Sequence, residues 1–227
     1  MKSISSISPQ VREPQSWKQR QLRAIAIIAG VSLSLSNAAH QAQAHHAMGG
    51  GLPATAWEGL LSGLAHPVIG LDHLAFVVAI GLLAAGRHWG ALIPAAFVGA
   101  AMVGTGLHLG SLDLPGAEIA ISLSVLLLGL ILIWNQQLNF ALITGIAAIA
   151  GVFHGYAYGE SIVGAEITPL VAYLVGFTLI QAAIALSALG VGQLLAEKAA
   201  QSLMQLRRIS GYAFALVGIA FLATALA

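Results

Sequence analysis

Imidazole and carboxylate groups held at one level of an apolar chain can strip water from a divalent metal ion and bind it. His66, Asp72, His73, His108, Glu118, His154 and Glu160 are of those types. Each falls at, or within about two turns of, the same ends of long apolar segments. Imidazole plus carboxylate suits nickel, cobalt, zinc or copper(II), whereas copper(I) prefers sulfur ligands. The chain has no cysteine, which excludes thiolate metal sites, disulfides and thiol redox chemistry. His45 and His46 lie on the same side and add a weaker candidate. Asp113 and Glu166 read as solvated loop residues, and His88, on the opposite side, as interfacial.

The densest stretch runs from Gly63 through His66, Pro67 and Gly70 to Asp72 and His73. Pro67 suits the first position of a helix, where its missing N–H is harmless. Asp72 and His73 would then lie roughly 8–9 Å below the helix start. An acid at mid-membrane costs about 2.5–3.5 kcal/mol on insertion scales, so it calls for a partner or a function. The competing reading of Asp72 is a carboxylate complementing a positive helix N-terminus. On an unbroken helix His66 and His73 would be roughly 10 Å apart along the axis, too far for one ion. Either Gly70 breaks the segment or the two histidines are successive stations on a path. Asp72 and His73 point about 100° apart, so one can bind metal while the other orients a ligand.

A second cluster, Gly151 to Glu160, echoes the first: a glycine three residues before a histidine, and an acid six after it. Its glycines around Tyr156 and Tyr158 predict irregular backbone lining a cavity, where membranes tolerate it. His154 is expected to be a ligand. For His108 the ligand and interfacial readings stand level. So do, for Glu118, the ligand and helix-terminus readings.

These residues need elements to position them, and composition says which. Of 227 residues 58% are hydrophobic and 7% charged, against roughly 25% charged in a soluble domain. Such a chain belongs in a bilayer. A net charge of +1 offers no basic field to nucleic acid. There is no phosphate-binding glycine loop of the ATPase type. Residues 1–44 read as a cleavable signal peptide: Lys18, Arg20 and Arg23 precede an apolar run, and Ala42-Gln43-Ala44 fits the cleavage pattern. Residues 45–227 then form one all-α domain, a polytopic bundle of six transmembrane helices at about 67–86, 90–109, 117–134, 140–154, 169–190 and 209–227, the fourth continuing towards Tyr158. Arg87, Lys198, Arg207 and Arg208 share one side, which the positive-inside rule makes cytoplasmic. The mature N-terminus and the histidines would face out. Ala96, Ala100 and Gly104 lead to His108, and Ala147 and Gly151 lead to His154; such small stripes let helix backbones approach.

The first stretch matches H-P-x-x-G-x-D-H, and Phe153 to Glu160 resembles F-H-G-x-A-x-G-x-E. In that order the pair resembles the HupE/UreJ family. The resemblance implies a nickel or cobalt permease of the inner membrane, not an enzyme. It implies no tightly bound cofactor, with Ni²⁺ or Co²⁺ as transported substrate. By position it makes His66, Asp72, His73, His154 and the acid near 160 transport residues, with Glu118 the acid opening the third helix. Two departures stand out: the acid arrives one residue early, at Glu160 rather than Ser161, and Tyr158 stands where many members have a further histidine. The expected partners are a divalent ion and the lipid bilayer; a homo-oligomer and a cytoplasmic metal acceptor are compatible with this reading. An intramembrane zinc hydrolase and a haem-binding electron carrier with paired axial histidines are the alternatives from other classes.

Overall fold

The computed structural model of the protein describes residues 51–134 and 138–227. The expected signal peptide, His45 and His46 lie outside them. The described residues are all-α: α1 Ala56–Ile69, α2 Leu71–Ala84, α3 Leu92–Leu109, α4 Ala117–Trp134, α5 Phe140–Glu160, α6 Ile167–Lys198 and α7 Ala200–Ala225. The starts of α1 and α5 are written in the sequence. Thr55 and Glu58 form a reciprocal capping box at α1, and Asn139 accepts the Leu142 N–H at α5.

Five of these helices, α3 to α7, are long and apolar enough to cross a membrane; α1 and α2, bent by 77° at Gly70, make a sixth if counted as one broken span. Large apolar side chains such as Ile149, Val175, Leu179 and Ile219 are exposed along them. Over a whole bundle that is a surface for lipid rather than water. The protein is a multi-pass membrane protein.

The first span differs from the sequence expectation. Pro67 lies inside α1, two residues from its end, not at a helix start. The chain breaks at Gly70, whose N–H still reaches the His66 carbonyl. Asp72 and His73 therefore occupy the first turn of α2 rather than its second. The helix over 56–69 carries no long apolar run, which is why hydropathy alone passes over it. The stretch between the expected fifth and sixth spans, 191–208, is also largely helical, divided between the ends of α6 and α7.

Ten of the fourteen residues of α2 are buried, so it is the axis of the bundle. It packs on α4, α6 and α7, while α3 pairs with α5, α4 with α7 and α1 with α6. The α3–α5 pair is close because Gly104, Gly151 and Gly155 lack side chains; a Cβ on Gly155 would fall on the Ala101 backbone. At the far end of α2, Arg207 donates to the carbonyls of Leu82 and Ala85, and Arg87 to those of Leu83 and Leu138. Cations there satisfy the orphan carbonyls of a helix C-terminus and complement its dipole. The bundle thus has an arginine end and, opposite it, a histidine end.

Candidate metal centre

The break at Gly70 brings His66 and His73 together. Their ring centroids are 5.9 Å apart, not the roughly 10 Å of an unbroken helix. Both rings lie on Tyr158, at 5.0 Å for His66 and 4.4 Å for His73. Tyr173 stands 6.3 Å from His66, and its hydroxyl donates to the Tyr158 carbonyl and lies 2.9 Å from the Ser161 hydroxyl. Phe177 closes the same group against Tyr158. Asp72 lies beside His73, where its Oδ1 accepts the His73 backbone N–H at 2.9 Å. That contact matches the role of a carboxylate in the first turn of a helix.

His73 and His154 meet directly: Nδ1 to Nδ1 is 2.8 Å, and both rings are buried. Such a contact requires one proton between the two nitrogens, and the surroundings assign it. Ser124 Oγ donates to the Ile121 carbonyl at 2.7 Å. Towards His154 Nε2, 3.0 Å away, it is then an acceptor, so His154 carries its proton on Nε2. His154 Nδ1 accepts in turn, and His73 carries its proton on Nδ1. His73 Nε2 is left with its lone pair. This is the arrangement of a metal-binding histidine, whose second nitrogen donates to a fixed partner. Phe76 and Phe97 lie under His154 at 4.5 and 5.6 Å, making the floor apolar.

The seven residues singled out in the sequence thus fall on two levels. His66, Asp72, His73 and His154 form an inner shelf. His108 ends α3, Glu118 begins α4 and Glu160 ends α5, so these three belong to a rim at the histidine end. Glu118 and Glu160 are exposed. His108 lies against Tyr156, ring centroids 4.3 Å apart, and packs on Gly159. Its Nδ1 is buried without a hydrogen-bond partner among the described residues. Tyr156 reaches Asp113 at 3.5 Å. Among the described residues no three His, Asp or Glu groups converge as a ready metal cage.

The backbone around Gly155 and Gly159 is regular helix to Glu160, not the irregular cavity lining expected. Its glycines serve contact with α3 and His108 instead. Ser124 was not singled out in the sequence. A serine in an apolar helix was visible, but only the packing of α4 on α5 shows that it faces a histidine.

Comparison with known proteins converges on one group. A family model described as HupE / UreJ protein matches residues 33–221. Protein HupE of Rhizobium leguminosarum bv. viciae is 32% identical over 167 residues, covering 73% of this chain and 85% of that protein. No solved structure matches.

Proposed function

The chain belongs to the HupE/UreJ family, a family of permeases rather than enzymes, and from that premise we propose that it imports Ni²⁺ or Co²⁺ across the bacterial inner membrane. In this reading it crosses six times, with α1 and α2 as one broken span and the mature N-terminus outside. The histidine end faces outward because Arg87, Lys198, Arg207 and Arg208 gather at the other, and basic residues favour the cytoplasmic side.

The roles divide by level. Glu118, Glu160 and His108 at the rim draw the hydrated ion in. His66, Asp72 and His73 take it at the helix break, where the carbonyl end of α1 adds partial negative charge. His154, itself held by Ser124, orients His73. The observation that carries the reading is this buried Ser124–His154–His73 chain, which leaves His73 Nε2 as a lone-pair donor beside a break in a membrane span. No ATP is needed. An inside-negative potential of about 100 mV gives roughly 2.3 kcal/mol per charge, hence roughly 4.6 kcal/mol for a divalent ion.

Metal uptake into proteoliposomes under an imposed inside-negative potential tests the proposal, with Ni²⁺, Co²⁺ and Zn²⁺ compared. Saturable uptake of nickel or cobalt is expected, lowered by His73→Ala at least roughly a hundredfold, the upper range for loss of a metal-site group. Uptake that survives His73→Ala, or no uptake of nickel or cobalt by the wild type, overturns it.

A further inference from the structure

Gln181, in the middle of α6, has no exposed surface, and neither its Oε1 nor its Nε2 has a hydrogen-bond partner among the described residues. Native proteins seldom bury an amide unpaired, and a polar side chain kept inside a membrane bundle usually has a functional reason. Its position supplies one. The buried face of α6 carries Tyr173, Phe177, Gln181 and Ala185 at intervals of four residues. Tyr173 and Phe177 belong to the aromatic shell of the candidate site. Gln181 follows one turn later, about 6 Å further from the histidine end. Beyond Tyr173 that buried face has no other polar side chain.

The register of α2 against α6 gives the level. Gly81 packs on Ala188 and Gly192 on Ala85, so the helices run side by side with Gln181 alongside the turn that follows His73. Directly below His154 the way is closed by Phe76 and Phe97. An ion leaving His73 towards the arginine end therefore meets apolar rings under His154 and an unpaired amide on α6.

We infer that Gln181 is a transit ligand, whose amide oxygen receives the ion as it leaves His73 for the cytoplasm. The inference rests on the permease reading above. A neutral amide oxygen is a harder and weaker donor than imidazole for these metals. Weak binding is what the step requires, since conduction needs sites favourable enough to enter yet easy to leave.

The test separates holding the ion from passing it on. Gln181→Met keeps the length and removes the amide. With full-length protein, equilibrium binding of Ni²⁺ or Co²⁺ and the half-saturating outside concentration are expected to stay within about twofold, while the maximal uptake rate falls at least roughly tenfold, as for a lost contact to a charged group. If Gln181→Met does not fold, Gln181→Asn carries the same two readouts, because it withdraws the amide by one methylene. A maximal rate within about twofold of wild type overturns the inference. So does a parallel loss of binding and rate, which would make Gln181 part of the frame around the histidines. A wild type that transports neither ion is a separate result, and it is the permease reading that then fails.

Discussion

The imidazole of His73 is held from two sides by residues that bear no charge. Gly70 has φ −72° and ψ 102°, a conformation open to any residue. A Cβ there would stand 2.7 Å from His73 Cδ2 and 3.3 Å from Asp72 Oδ1. The glycine therefore makes room for a ring. Gly70→Ala is expected to leave the fold and the helix break intact while lowering nickel or cobalt affinity at least roughly tenfold, the scale of a displaced ligand; binding titration alongside circular dichroism checks both halves. Ser124 holds from the other side, through His154. Ser124→Ala leaves a buried N–H on His154 unpaired, at a cost of about 1–3 kcal/mol, and frees the tautomer of the pair. Metal affinity should fall roughly 10–100-fold, and Ser124→Thr should restore it, since the hydroxyl is what acts. Unchanged affinity in Ser124→Ala would remove the orienting role from His154. The sequence made the histidines and Asp72 visible through spacing, because an acid and an imidazole inside an apolar run have few bland uses. Ser124 was hidden because serine is unremarkable in a membrane helix until its neighbour across the bundle is known. Glu160, one residue before the position the resemblance predicts for an acid, is exposed, and Ser161 at that position is committed to Tyr173.

Among the elements, α2 carries the largest share of the core and both of its ends are unusual. One begins at a break with no side-chain cap; the other is finished by Arg87, just beyond it, and by Arg207 of α7. Arg207 reaches two carbonyls, Leu82 at 2.9 and 3.2 Å and Ala85 at 2.9 Å, which takes a planar fork and not a point charge. Arg207→Ala is expected to destabilise the bundle by about 1–3 kcal/mol, with Arg207→Lys recovering less than half of that, as read from thermal unfolding in detergent. Equal stability of wild type and Arg207→Ala would show that water serves those carbonyls as well. Element positions were largely legible, since apolar runs in a polar-poor chain can only be spans. Two misreadings have physical causes. Proline favours a helix start, yet α1 accommodates Pro67 near its end, so a start read at Pro67 falls eleven residues after Ala56. Glycines around Tyr156 and Tyr158 resemble loop composition, yet Gly155 is needed where α5 touches the Ala101 backbone. Both errors come from residues whose roles depend on which helix lies alongside.

The molecule as a whole has one end rich in imidazole and carboxylate, an opposite end held by arginine, and apolar sides. The asymmetry on which the proposed orientation rests also sets how the proposed transport responds to solution conditions. The binding form of the shelf is the neutral histidine pair with its single shared proton, and a proton on His73 Nε2 takes the place of the metal. Acidifying the outside from neutral pH to below the ordinary histidine range is therefore expected to lower the initial uptake rate at fixed membrane potential. Raising the metal concentration should restore it, because proton and metal compete for one lone pair. Acidifying only the vesicle lumen should leave the initial rate nearly unchanged, since in the proposed reading the shelf is loaded from the histidine end. Initial rates with the potential clamped by a potassium gradient and an ionophore measure all three. A flat response to outside pH would remove imidazole from the rate-controlling step, and equal sensitivity to lumen pH would mean that the shelf is open to both sides of the membrane.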